Sequence, residues 1–149
     1  MVRFPHLLLF GLLLAGDGDA LPIRYNTVTI APTRSSIYIG FVTLALGTMA
    51  RHDDIYASDY SAKVWPYFFW DEQGKIFIKV PDEALRRLQK GEAVDFTGHA
   101  VCDDGDQRKI TGHAVPADLN SGSIQVRVFV TKYISLKFDT SYRVGTGAL

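Results

Sequence analysis

Two copies of one pentapeptide carry the most suggestive chemistry in this chain. Thr97-Gly98-His99-Ala100-Val101 recurs as Thr111-Gly112-His113-Ala114-Val115, with Cys102 and the acidic stretch Asp103-Asp104-Gly105-Asp106 between the copies. Two imidazoles, a thiol and carboxylates are the residue types of a metal site, or of a nucleophile with its base. The segment reads as a β-hairpin tipped by Asp104-Gly105, and the length of its loop decides what it can do. A two-residue loop sets Asp103 opposite Asp106 and sends His99 and His113 to opposite faces. A three-residue loop brings both to one face, diagonally related, where they can share a metal or flank a substrate. Two histidines without a further ligand at a recognisable spacing make His99 and His113 incomplete metal candidates, set against the plainer reading of strand histidines bonded to backbone or solvent.

The other constellations are thinner. Asp103 to Asp106 has the composition of a calcium loop but neither its alternating ligands nor its distant Glu, so it reads as a turn. His52-Asp53-Asp54 puts a base beside carboxylates, yet neighbours on a strand point apart. The sequence has no Gly-x-Ser-x-Gly elbow, no phosphate-cradling glycine loop and no His-Glu-x-x-His. No cofactor is implied. Enzymatic activity is therefore the secondary reading, as a small hydrolase or metal-dependent enzyme at the His99 and His113 hairpin, with Cys102 as nucleophile only if the register brings a base to it.

Rings are concentrated elsewhere, in Tyr56, Tyr60, Trp65, Tyr67, Phe68, Phe69 and Trp70. Each buries on the order of 150 to 250 Å² when packed. Successive side chains of an extended Tyr67-Phe68-Phe69-Trp70 face opposite ways, so half of them can pack while the others line a cavity or stack on a sugar or lipid. Tyr56, Tyr60, Trp65, Tyr67 and Trp70 are the candidate ligand-binding residues.

These groups must be positioned by a mainly β chain. Apolar and β-branched residues alternate with polar ones over Arg24 to Ile30, Ser36 to Met49, Ile55 to Val64, Tyr67 to Trp70, Lys75 to Val80, Ala93 to Cys102, Gln107 to Val115 and Ser123 to Val144. Turns are expected at Ala31-Pro32-Thr33, Asp71-Glu72-Gln73-Gly74, Asp103 to Asp106 and Asn120-Ser121-Gly122. The last strand stretch is too long to run straight and must bend or turn near Lys132; with no Gly, Pro or Asn in Thr131-Lys132-Tyr133, a bulge or sharp bend is favoured over a tight hairpin. Pro81 to Gly91 is the one helical segment, with Pro and acids at its start and Gly91 to end it. Its Ala84, Leu85 and Leu88 need an open end or a face of the sheet to pack on. The expected architecture is an antiparallel barrel or sandwich of about eight strands with one short helix; the alternative is an OB-like barrel with added strands.

Ile37 to Ala50 is apolar on both faces, which calls for cover from the helix, a second sheet or another subunit, and makes this strand the candidate surface for a homo-oligomer. Gly40 and Gly47 suit kinks where a sheet closes on itself. The stretch falls short of the ~20 residues of a membrane span.

Residues 1–20 read as a secretory signal peptide, with Arg3 and His6 before the apolar run Leu7 to Gly16 and the small residues Gly18-Asp19-Ala20 at its end. Residues 21–149 then form a single exported domain, periplasmic or extracellular, with no stable membrane span once the leader is removed. The chain carries 16 basic and 16 acidic residues, so nothing in its charge recruits nucleic acid. One cysteine rules out an intramolecular disulfide, and the fold rests on packing. The leading expectation is a non-enzymatic β-domain that binds a small apolar or carbohydrate ligand, or an envelope partner, through its aromatic region.

Overall fold

The computed structural model describes residues 25–145; residues 1–20, expected as a signal peptide, lie outside them. The strands are β1 (Thr27–Ile30), β2 (Thr33–Ser36), β3 (Phe41–Leu46), β4 (Met49–His52), β5 (Ile55–Trp65), β6 (Glu72–Lys79), β7 (Val94–Cys102), β8 (Gln107–Pro116), β9 (Ser121–Phe129) and β10 (Ser135–Gly145), with helix α1 (Asp82–Gln89) between β6 and β7. Every pairing is antiparallel, and the circuit β1-β10-β9-β8-β7-β6-β5-β4 returns to β1, closing an eight-stranded barrel. β2 and β3 are two extra strands that extend one rim, β3 pairing with β5 above β4. This is a meander barrel, not the OB-like alternative.

Inward positions alternate with wet ones as a small barrel requires. Ile76 and Ile78 on β6, Phe96 and Ala100 on β7, Ile110 and Ala114 on β8, Ile124 and Val126 on β9, and Phe138 and Tyr142 on β10 are all buried. β3 and β4 together break this alternation once. Leu46 lies opposite Tyr60 but Ala50 lies opposite Ala57, so one extra residue is accommodated near Gly47. That is a β-bulge; it bends the strand where the sheet must curve, as expected of Gly47.

Loop chemistry explains the departures from the sequence pattern. Pro66 ends β5, and Tyr67 to Trp70, expected as a strand, instead forms a 3-10 turn with Trp70 N–H donating to Tyr67 O at 2.9 Å. The expected turn at Asp71 to Gly74 is strand from Glu72 onward, because Asp71 Oδ1 accepts the Val64 N–H at 2.7 Å and closes the loop one step earlier. Near Lys132 the chain makes a hairpin, not a bulge: Val130 N–H donates to Ile134 O at 2.9 Å. Thr131 Oγ1 accepts from the N–H groups of Tyr133 and Ile134, a local turn that replaces Gly or Asn. Likewise Asp118 accepts the N–H groups of Asn120 and Ser121, so the turn precedes Ser121, which opens β9.

The two ends of the barrel differ. At one end α1 lies across the opening with Leu85 and Leu88 buried. It stops in a Schellman arrangement: Gly91 takes φ +83°, its N–H donates to Leu88 O, and Glu92 N–H donates to Arg87 O. Arg51 ties the helix to the barrel through Val80 O and Asp82 Oδ1 at 2.9 and 2.8 Å. The opposite end carries loops 37–40, 66–71, 103–106 and 130–134, and among the described residues no α-helix covers it.

Candidate functional site

Beneath those four loops the barrel is hollow. A cavity of about 950 Å³ opens at this end, with Ile76, Ile110 and Phe138 deep inside and Val42, Leu44, Val64, Val128 and Leu136 along its walls. The helix end is filled instead, holding only about 70 Å³ of free space among aliphatic side chains and the rings of Tyr56, Phe96 and Tyr142. The asymmetry follows from side-chain size and the plug: α1 supplies Leu85 and Leu88 to one half, and nothing equivalent among the described residues enters the other.

One wall of the cavity is polar. Tyr60 on β5, Glu72 on β6, Cys102 on β7 and Arg108 on β8 point inward from four successive strands. Tyr60 OH donates to Glu72 Oε1 at 2.6 Å, and Arg108 Nη2 donates to Glu72 Oε2 at 3.1 Å. Arg108 Nη1 also donates to Val130 O at 3.1 Å. Cys102 Sγ lies 3.3 Å from the Tyr60 oxygen. The strands that bring these four together are held close by Gly74, opposite Cys102, where a Cβ would collide with the Val101 carbonyl.

The electrostatics follow from this network. Burial alone raises Glu72, but hydrogen bonds from Cys102, Tyr60 and Arg108 outweigh it and hold the carboxyl below its ordinary value. Burial pushes the Cys102 thiol up, and its bond to Glu72 adds to that. It is thus a protonated thiol at neutral pH, not an activated thiolate. The Tyr60 phenol is also pushed up, by burial first and then by its bonds to Cys102 and Glu72. The wall therefore presents a charged but mutually neutralised Arg–Glu pair, buttressed by two neutral donors.

The sequence candidates divide. Tyr60, Tyr67 and Trp70 line the cavity. Tyr56 belongs to the filled end, where its hydroxyl donates to Tyr25 O at 2.6 Å. Trp65 faces outward and stacks on Phe41 at 5.6 Å between ring centroids, with Arg34 on that same ring. These outer rings also supply part of the cover that the doubly apolar stretch demanded.

The hairpin histidines are not brought together. The loop is the three residues Asp103 to Gly105, closed by Cys102 N–H to Asp106 O at 2.8 Å, so both imidazoles share the outer face. His99 lies opposite Lys109 and His113 opposite Asp95, which leaves them four residues apart along the strand. His99 stacks on Phe77, and His113 Nδ1 meets Asp95 Oδ1 at 2.6 Å. Cys102 is on the opposite, inner face. Among the described residues no group of three or more His, Cys, Asp and Glu side chains is arranged to hold a metal ion.

Comparison with known proteins adds no relative. The chain matches no protein-family model, no curated protein and no solved structure. Sequence reasoning missed Glu72 and Arg108, which belong to no motif; what could have found them is their parity, since each occupies an inward position two residues from a buried neighbour on its strand. No helix among the described residues is long and apolar enough to cross a membrane.

Part of the rim of the cavity is apolar. Tyr38, Ile39, Phe68, Phe69, Trp70, Tyr133 and Ile134 are exposed there. Tyr67, Phe69 and Trp70 form a ring cluster with centroids 4.8 to 5.9 Å apart, which presents a greasy lip to anything entering.

Proposed function

We propose that this protein binds a small, mainly apolar molecule inside the open half of its barrel, as an exported carrier or binding protein. The observation that carries the reading is the cavity of about 950 Å³, at the upper end of the size of small-molecule sites, apolar over most of its wall with a few convergent polar groups. An eight-stranded barrel has an interior just wide enough either to be filled by its own side chains or to hold one ligand. Here one half is filled and the other is not. A carbohydrate, with hydroxyls in every direction, needs partners on all sides of its site, whereas polar groups here occupy one wall. The export part of the proposal rests on Arg3, the Leu7 to Gly16 run and Ala20.

A neutral naphthylamine dye that fluoresces in apolar surroundings tests the binding. The mature chain is expected to bind it saturably, and Ala62→Trp, which fills the cavity from β5, is expected to abolish binding while leaving the β-type circular dichroism intact. Equal dye binding by this variant would reject the cavity as the site. N-terminal sequencing of protein recovered outside the cytosol is expected to begin after Ala20.

A further inference from the structure

We infer that the natural ligand carries an uncharged oxygen acceptor, a hydroxyl or carbonyl, which docks against Arg108, and that the cavity discriminates against carboxylates. This rests on the proposed binding function and specifies what is bound.

Arg108 presents five N–H donors. Two of its nitrogens make hydrogen bonds within the protein, Nη2 to Glu72 and Nη1 to the Val130 carbonyl, and its side chain lines the cavity while remaining 20% exposed. The guanidinium therefore faces the ligand space with donors to spare. A molecule with an acceptor oxygen gains a charge-assisted hydrogen bond there, worth about tenfold or more in affinity.

The sign of the charge is the discriminating feature. Both oxygens of Glu72 already accept hydrogen bonds, from Tyr60 and Arg108, so the positive charge on Arg108 is balanced before any ligand arrives. A fatty-acid-like carboxylate would add a second anion beside Glu72 with no cation left to match it. The mouth strengthens this. Asp71, Asp103 and Asp104 join Glu72 and Arg108 in the lining, and even with Lys132 in the 130–134 loop the carboxylates outnumber the cations at this end, so an anion approaches against the local field. An ammonium gains from that field at the mouth but lies beside Arg108 once inside, where desolvation and like charge oppose it.

A matched series separates these cases: decanol, decanoate and decylamine, each displacing the neutral naphthylamine dye near pH 7. Decanol is expected to displace at about tenfold lower concentration than either charged analogue. If decanoate or decylamine equals or surpasses decanol, the head-group inference is wrong while the cavity reading stands; if the dye itself does not bind, the cavity reading fails first. Glu72→Gln removes the balancing charge, and decanoate is then expected to gain about tenfold relative to decanol. An unchanged order in this variant would overturn the role assigned to the Arg108–Glu72 pair. Should Glu72→Gln not fold, Arg108→Gln is the complementary test: decylamine is expected to gain about tenfold against decanol, and no gain overturns the same assignment.

Discussion

Arg108 and Glu72 meet at 3.1 Å across adjacent inner positions of β8 and β6, although β7 runs between those two strands. The pair bridges over Cys102 and ties three strand ends together at the mouth of the barrel. Both side chains are part-buried, at 20% and 25% exposure, so their attraction is less screened than on an open surface but not that of a dry interior. Replacing Arg108 by Met leaves a carboxylate facing an apolar cavity with only Tyr60 and Cys102 to satisfy it. We expect a loss of about 1–2 kcal/mol in urea unfolding. The double variant with Glu72→Met is expected to recover most of that loss, because it removes the stranded charge as well. Additive losses in the double-mutant cycle would show that the two residues are not coupled.

Glu72 also sets a pH dependence. Its carboxyl is held low in the fold, so the folded state binds the proton less readily than the unfolded chain does. The stability it contributes is fully present above the ordinary Glu value of about 4.3 and is lost as pH falls from there through the lower folded value. Urea midpoints measured from about pH 7 down to about pH 3 should therefore fall on acidification in the parent protein. The acid arm should be shallower in Glu72→Gln, and identical acid arms would remove Glu72 from the account.

How far the sequence discloses this molecule depends on which interactions are local. The strands over Ile55, Ala93 and Gln107 and the helix from Pro81 to Gly91 follow from period and capping, which neighbouring residues settle among themselves. Closure could be expected from Gly47 and the number of strands, but the choice of a meander over an OB-like path depends on β10 meeting β1, a pairing over a hundred residues apart. Turns built on side chains, such as the Thr131 oxygen holding the Lys132 loop, leave no Gly or Pro to see. The site was half legible: Tyr60 and Trp70 stood out as rings, while Glu72 was hidden in an apparent turn and Arg108 looked like any solvated strand cation. The histidines drew attention because their residue type is chemically versatile, yet parity puts them outside the barrel.

The repeated pentapeptide has a packing consequence instead. Gly98 and Gly112 take inward positions, and a Cβ on Gly112 would run into the ring of Phe96, which is itself buried. Gly112→Ala is expected to destabilise by about 1–3 kcal/mol through overpacking, whereas His113→Ala, on the exposed face, should change stability by less than about 1 kcal/mol. Thermal unfolding of the two variants compares them directly. A larger effect from His113 would mean the repeat is retained for its imidazoles after all.

Trp65 and Trp70 separate binding from packing. Trp70 lines the cavity and Trp65 stacks on Phe41 outside it. Trp70→Ala is expected to weaken dye binding roughly tenfold, in line with about 1.4 kcal/mol for a lost aromatic contact. Trp65→Ala should leave affinity within about twofold, a difference of roughly 0.4 kcal/mol. Equal losses would place the ligand across the outer face, and would relocate the site to the surface of β3 and β5.

The filled and hollow halves of the barrel should respond independently. Leu85 is 2% exposed and reaches from α1 into the closed end, so Leu85→Ala trades a packed side chain for a void and is expected to cost about 2–4 kcal/mol. The polar wall, formed near the opposite end of β6, β7 and β8, does not touch that void. Dye affinity measured well below the melting temperature should therefore be unchanged, while the urea midpoint falls. Were affinity and stability to drop together at that temperature, the helix would be coupled to the cavity through the shared inward residues Leu44 and Ile76, which line both spaces. The plug would then tune the ligand space from below.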